Sequence, residues 1–360
     1  MEAIKTVVIG AGMMGYSQIR NCLEPLTDYD ITAVCEVYEP NIRRINDYFT
    51  GKGKTVPVYR DYRELLEKEE FSLAVIVTPD YLHEEIAVAC LRAGKHIRLE
   101  KPMATSAAEA KEICEETERA GVTFMLGMLN RFRTESLILT ERREAGLMGD
   151  IYHADARWIR RRGIPSNGWF VQKALSGGGA GIDIGVHAID TAWYLMGSPE
   201  PVAVSAVTHS RLGDAGARGL SSWGTEAPAG RPMDVEEAAA ALIRFENGKS
   251  MTLTVSWAIN GPEEDFNLKI YGTREGASLN PFVIYGMEQG YCADIQPKFV
   301  RDDAWKEGFK NEIAHFVHCV ESGKQPVSSA RSCYTVQRMI DAIYESASRA
   351  EEIRLDRGEV

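Results

Sequence analysis

Positive charge is in deficit in this 360-residue chain: 41 lysines and arginines face 52 aspartates and glutamates, a formal net charge of −11 with histidine neutral. A nucleic-acid binder needs a basic face to meet phosphates, and an anionic membrane surface asks for the same, so neither partner is expected. No apolar run approaches the length of a membrane span. The opening MEAIKTVVIGAG lacks the charged region, apolar stretch and cleavage site of a secretory signal. Cysteine is sparse: Cys22, Cys35, Cys90, Cys114, Cys292, Cys319 and Cys333 are scattered, odd in number and contain no CxxC pair. That pattern reads as free thiols in a reducing compartment, with neither a disulfide framework nor a zinc site, and places the protein in the cytoplasm. Internal repeats and low-complexity tracts are also missing. What is present, 44% hydrophobic and 26% charged residues, is a globular composition, at a length that fits two domains.

Residues 1–127 alternate short apolar runs with helical patterns. The runs 4–9, 31–35, 56–59, 73–77, 95–99 and 122–127 are nearly continuous in apolar residues, which suits strands covered on both faces, as parallel strands are. Asp61 before YRELLEKE, Gly94 after HEEIAVACLRA, and the capping box of Ser106 with Glu109 mark helix ends between them. This order predicts an α/β Rossmann domain, a doubly wound parallel sheet. Beyond residue 128 the rhythm changes to a helix at 134–146, a strand near 151–160, the glycine-rich SGGGAGIDIG and a helix over 183–196. Longer strands follow at 202–208, 237–246, 249–257 and 266–271. Asn247-Gly248 predicts a two-residue hairpin turn, since both positions must accept positive φ. Residues 128–360 are therefore expected to form an α+β domain on a mostly antiparallel sheet, its closing helices (about 306–349) packing back on the first domain. Residues 209–233, rich in Gly, Ser and Pro, predict a long loop, either a lid or a poorly ordered segment.

Gly10-Ala11-Gly12-Met13-Met14-Gly15 fits GxGxxG, directly after the strand TVVI and at the start of a helix. Gly10 allows the tight turn, Gly12 lets the backbone approach a pyrophosphate, and Gly15 permits close helix–strand packing. Glu36 closes the next strand 21 residues after Gly15. An acid there can hydrogen-bond ribose hydroxyls and repel a 2′-phosphate, which favours NAD over NADP. Arg43 and Arg44 either keep NADP open or lie on a solvated helix face. Thr78-Pro79 ends the fourth strand at the carboxyl edge of the sheet, where open α/β sheets bind ligands, so Thr78 is a candidate cofactor contact. His83 is either a second contact or a polar residue at a helix start.

The fifth strand runs into Glu100-Lys101-Pro102. A lysine at this edge can hydrogen-bond a substrate hydroxyl and stabilise alkoxide character as hydride leaves the carbon; the alternative is a surface lysine paired with a nearby acid. Asp183 and His187 are spaced i, i+4 and share a helix face, with Asp190 continuing it. An acid beside a histidine can orient it and tune its pKa, so His187 is a candidate acceptor of the hydroxyl proton; the alternative is a helix-capping Asp183 and a core His187. Candidate substrate contacts are Asn130, Arg131, Arg161 and Trp169. Arg160, Arg161 and Arg162 lie just after a strand and could receive a carboxylate or phosphate or form a solvated or interface cluster; Trp169 could stack on a sugar or fill core. His315 and His318 share a helix face but lack a further ligand, so no metal site is expected.

GAGMMG, the acid after AVC, TPDYLH, EKPMA and GGGAGIDIGVHAID together resemble the Gfo/Idh/MocA family, named for glucose–fructose oxidoreductase and inositol dehydrogenase. The resemblance covers nearly the whole chain. It implies Lys101, Asp183 and His187 as the catalytic set, a bound NAD, a polyhydroxylated small-molecule substrate, and dimers or tetramers formed through an open-faced sheet. Glu36 departs from the family's more frequent Asp but keeps the acid. Three activities fit: a sugar or cyclitol dehydrogenase, an NAD-dependent glycosidase that oxidises its substrate transiently, and a non-catalytic sugar and dinucleotide sensor.

Overall fold

The computed structural model describes residues 3–356 apart from 24, 26, 27, 166, 167, 213–232, 262, 263 and 299–303. Most of the expected 209–233 loop therefore lies outside the described residues.

The apolar runs of the first half become β1 (Ile4–Ile9), β2 (Tyr29–Cys35), β3 (Val58–Tyr59), β4 (Leu73–Ile76), β5 (His96–Leu99) and β6 (Phe124–Leu126). They form one parallel sheet in the order β3-β2-β1-β4-β5-β6, with the order reversing between β1 and β4. Val7, Val8, Leu73, Ala74, Val75 and Ile76 are all fully buried, because helices cover both faces. Those helices are α1 (Met13–Gln18), α2 (Glu39–Gly51), α3 (Tyr62–Lys68), α4 (His83–Arg92) and α5 (Ala107–Ala120). The expected caps form. Asp61 accepts from the Arg63 N–H, and Ser106 accepts from the Glu109 N–H while the Glu109 carboxylate takes the N–H of Thr105.

After α6 (Thr134–Glu144), β7 (Ile151–Ile159) leads through α7 (Lys173–Ser176) and α8 (Ala180–Asp183) to α9 (Gly185–Leu195). The rest of the second sheet is β8 (Pro201–His209), β9 (Ala238–Phe245), β10 (Ser250–Ser256), β11 (Asp265–Gly272), β12 (Gly276–Leu279), β13 (Phe282–Glu288), β14 (Tyr291–Ile295) and β15 (Ile353–Arg354). Its nine strands are antiparallel except for β7 beside β10. Three findings depart from the sequence reading. The helix expected over 183–196 is broken at Ile184, so Asp183 ends one short helix and His187 lies in the next. Strands β12 to β15 were not expected; all but the seven-residue β13 are short, and β14 is largely exposed. At Asn247-Gly248 both residues do take positive φ, but the loop spans three residues because the Glu246 N–H turns to the carbonyl of Glu200.

Of the closing helices, α10 (Ala304–Ser322) lies on the turn after β6, while α11 (Ala330–Arg349) packs on β8 of the second sheet as well as on α5 of the first layer. A buried arginine ties this corner together. Arg131, expected at the substrate, is 1% exposed. Its Nε donates to Asp190 Oδ2 at 2.9 Å, and its other donors reach the Val327 carbonyl and Ser332 Oγ. It is a structural cation, and Asp190 is its counter-ion instead of a neighbour of the histidine. Replacing Arg131 with alanine strands a buried carboxylate and is expected to destabilise the protein by about 3–5 kcal/mol, measured as a loss of unfolding free energy in urea; a change below about 1 kcal/mol would contradict this role.

Candidate active site

The carboxyl edges of β1, β4 and β5 set out the first wall of the site. Gly10 has φ of +93°, and a Cβ there would sit 2.4 Å from the Val77 carbonyl oxygen. A Cβ on Gly15 would strike the Gly10 carbonyl oxygen at 2.1 Å, so both glycines are dictated by close backbone approach. Gly12 differs: a Cβ would meet nothing within 4 Å. The turn thus leaves open space at the position where the motif brings a pyrophosphate to the backbone, and the residues fit a dinucleotide. Met13 is exposed and Met14 half-buried beside this space. Across the edge, Thr78 and Pro79 are half-buried, with Thr78 Oγ1 buried and lacking a partner.

Glu36 is more occupied than the sequence suggests. Oε2 accepts from the Ala11 N–H (2.9 Å) and Asn41 Nδ2 (3.1 Å), and Oε1 accepts from the N–H groups of Val37 (2.8 Å) and Tyr38 (2.9 Å). Arg44 is not on a solvated face: its Nη2 donates to the carbonyls of Ala11 (2.8 Å) and Gly12 (3.0 Å), and its guanidinium lies over the Tyr16 ring. Together they clamp the glycine turn from both polarities. His83 turns inward and is fully buried, with Nδ1 2.7 Å from the Pro102 carbonyl and Nε2 3.0 Å from that of Thr78. Burial lowers its pKa, against the pull of the two carbonyls. It braces the ends of β4 and β5, with both ring nitrogens already engaged by backbone carbonyls.

Lys101 projects from the end of β5, beside a cis bond to Pro102. Its Nζ donates to Asp183 Oδ1 at 2.8 Å and to the Asp183 carbonyl at 3.0 Å. Asp183 Oδ2 accepts from Trp257 Nε1 at 2.9 Å. The acid therefore orients the lysine, and not the imidazole as its spacing suggested. The ion pair spans the two sheets' layers, since Trp257 follows β10. Burial opposes both charges, but each supports the other: the Asp183 carboxyl is held below, and the Lys101 ammonium above, its ordinary pKa.

His187 lies beside this pair, its ring 5.8 Å from that of Trp158 and its Nδ1 buried without a partner. Burial, then the Lys101 charge, lowers its pKa to about 3, so the imidazole is neutral at physiological pH. Glu100 is drawn away: it accepts from Gln18 Nε2 and from the Lys101 N–H (3.2 Å). Arg98, bonded to both Gln18 (2.7 Å) and Glu312 of α10 (2.6 Å), completes that buried chain.

Three residues around the lysine and histidine were missed, Trp257, Trp158 and Asp80, while Arg160, named only within the arginine run, proves to lie close enough to bear on Asp183 and His187. Asp80 is buried, its carboxyl pushed well up by burial against the opposing charge of Lys101; its place directly after Thr78-Pro79 was the available signal. Of the proposed substrate contacts, Asn130 is half-buried just beyond β6. Trp169 is half-buried and stacked on Phe170 at 3.8 Å, and Arg161 is exposed. No group of three or more potential metal-ligating side chains occurs among the described residues, and none of their helices is long and apolar enough to cross a membrane.

A model of an oxidoreductase family with an NAD-binding Rossmann fold matches residues 4–128, and one of the GFO/IDH/MocA C-terminal domain matches residues 138–278. Levoglucosan dehydrogenase of Pseudarthrobacter phenanthrenivorans is 30% identical over 78% of this chain and 72% of its own length. D-glucoside 3-dehydrogenase of Escherichia coli (strain K12) is 28% identical over 98% of this chain and 97% of its own. The structure of levoglucosan dehydrogenase with NADH and L-sorbose has the same fold, with a TM-score of 0.83 at 22% identity over 99% of this chain and 100% of that one. Sheet order, glycine turn and matches define an oxidoreductase with an NAD-binding Rossmann domain. The chain belongs to the Gfo/Idh/MocA family.

Removing the Glu36 carboxylate leaves three backbone N–H groups without their acceptor, at about 1–3 kcal/mol each where no water replaces it. Glu36→Ala is therefore expected to weaken NAD binding at least about 10-fold and to lower the thermal midpoint. Calorimetric titration with NAD checks the first; unchanged affinity would contradict the clamp.

Proposed function

We propose that the protein is a cytoplasmic dehydrogenase that uses NAD, in preference to NADP, to oxidise a carbinol carbon of a sugar, sugar derivative or cyclitol. The observation that carries this reading is the Lys101–Asp183–Trp257 array beside His187, at the carboxyl edge of a sheet whose glycine turn has room for a dinucleotide. When bound, the nicotinamide ring supplies the hydride acceptor. Lys101, held charged by Asp183, donates to the substrate oxygen and stabilises its negative charge as the carbon loses hydride. His187, neutral, accepts the hydroxyl proton. Asp183 and Trp257 act by fixing the ammonium's direction. The Glu36 carboxylate beside the turn disfavours a 2′-phosphate, and Arg44, the nearest half-buried cation, is already bonded to the turn's carbonyls.

The exposed side chains of Val207, Tyr271, Tyr285 and Met287 lie on strands of the second sheet, which suits self-association into a homodimer or homotetramer through that sheet. The first domain is taken to end near residue 127 and the second to carry the substrate.

A 340 nm screen of polyols, sugars, uronates and inositols with NAD and NADP tests the reading. Reduced cofactor is expected to accumulate with NAD on at least one polyol, and Lys101→Met and His187→Ala to lose about 10²–10⁴-fold in kcat/KM. Equal turnover by these variants would contradict the assignment, and aglycone release without absorbance growth would favour transient-redox glycoside cleavage.

The pH profile follows from the charges around His187. Lys101 and Arg160 lower its pKa and Asp183 raises it, with burial dominant. Because the depressed pKa leaves the proton-accepting form populated far below an ordinary histidine's range, kcat/KM at saturating NAD is expected to stay flat as pH falls through about 6.5. An acid limb there that vanishes in His187→Gln would contradict a neutral imidazole.

A further inference from the structure

Side chains alternate along β7, and the alternation continues past its end. Ala154 and Ala156 are fully buried on the strand that packs on α9, and Trp158, two residues on, meets the His187 ring. Arg160 is next in that series, so it faces the site, while Arg161 faces away and is exposed. The Arg160 guanidinium lies 5.2 Å from the centre of the Trp158 ring, forming a layer of imidazole, indole and guanidinium. Its charge reaches both Asp183 and His187.

Unlike Arg157 and Arg162, this arginine makes no side-chain hydrogen bond. Arg157 bonds Asp265 at 2.7 Å, and Arg162 bonds the Ile259 carbonyl at 3.1 Å and Asn260 Oδ1 at 2.6 Å. The Arg160 side chain is only 13% exposed and its Nε is buried without a hydrogen bond; its backbone N–H donates to the Ser256 carbonyl at 2.8 Å, but no hydrogen bond joins the guanidinium to a described residue. The nearest carboxylate, on the 63% exposed Glu264, stands 3.6 Å from Nε and already accepts from Trp158 Nε1 at 3.2 Å. A largely buried guanidinium with unmade bonds is a costly arrangement unless a ligand completes it. A planar fork of donors matches two neighbouring oxygens. The Glu264 carboxylate at 3.6 Å, with the Asp183 carboxylate near enough to feel the guanidinium's charge, favours neutral oxygens over an anion.

Resting on the dehydrogenase reading, we propose that Arg160 contacts the substrate directly, its guanidinium donating to a pair of vicinal hydroxyl oxygens next to the carbinol carbon that is oxidised. Arg160 thereby sets specificity for cyclic vicinal diols, while Lys101 and His187 act on the reacting hydroxyl.

The test uses the full-length protein saturated with NADH, titrated calorimetrically with myo-inositol, scyllo-inositol, methyl β-D-glucopyranoside, levoglucosan and D-glucuronate, alongside kcat/KM for whichever is oxidised with NAD. Arg160→Gln is expected to weaken the sugar that wild type binds by about 10- to 100-fold, mostly as KM, with NADH affinity unchanged and the thermal midpoint of the sugar-free protein no lower than that of wild type. Arg160→Lys is expected to recover only part, since an ammonium cannot offer two parallel donors. A deoxy analogue lacking the neighbouring hydroxyl is expected to be weak for wild type and no weaker for Arg160→Gln. Equal binding of the normal sugar by wild type and Arg160→Gln would overturn the inference alone. So would an equal loss on the deoxy analogue, or a loss confined to glucuronate, which would mark a carboxylate site. A wild type that neither binds nor oxidises any neutral sugar would defeat the dehydrogenase reading and this inference with it.

Discussion

The ion pair between Lys101 and Asp183 is the contact on which the cleft depends. It brings an ammonium from the edge of the parallel sheet onto a carboxylate that the second sheet holds through Trp257. Two charges out of bulk water are tolerated only where each has its partner and the leftover lone pairs are bonded. Here the two carboxylate oxygens are divided between the lysine and the indole. The fold thereby fixes a cation at the carboxyl edge of the parallel sheet, where the proposed function puts the reacting hydroxyl, and burial keeps the adjacent His187 imidazole neutral.

Other buried cations hold this arrangement from behind. Arg98 links the glycine-turn helix, Glu100 and the C-terminal helix, and its partner Glu312 has its pKa pushed up to about 7 by burial. Arg131 joins the segment after β6 to α9, which carries His187. The C-terminal helices thus act on the site without touching it: they fix the two elements from which the lysine and the histidine project.

Much of this was legible in the sequence because it is local. Continuous apolar runs marked the parallel strands, and the glycine spacing marked the turn whose close contacts the backbone requires. Lys101, Asp183 and His187 do meet in one place. What could not be read depends on partners far away in the chain. Arg131 was placed at the substrate because its counter-ion lies 59 residues on. Glu36 is a different case: Val37, Tyr38 and Asn41, three of its four donors, lie within five residues, and only the Ala11 N–H is distant, so what the sequence hides is the turn of the side chain back onto its own segment. Arg161 was chosen over Arg160 because a strand's phase flips with a single residue, and only the packing of Trp158 on His187 fixes that phase. The break at Ile184 was hidden in IDIGVHAID, an apolar stretch that reads as one continuous helix. Strands β12, β14 and β15 were hidden because they are short, and β13, though seven residues long, because its FVIYGME lacks a sustained apolar alternation.

The most direct measurement is a crystal structure of the protein with NADH bound. The account predicts the pyrophosphate over Gly12 and the nicotinamide ring in contact with the cleft between the Lys101 ammonium and the His187 imidazole. A nicotinamide ring lying away from both side chains, with the Lys101–Asp183 pair sealed off by protein, would contradict it.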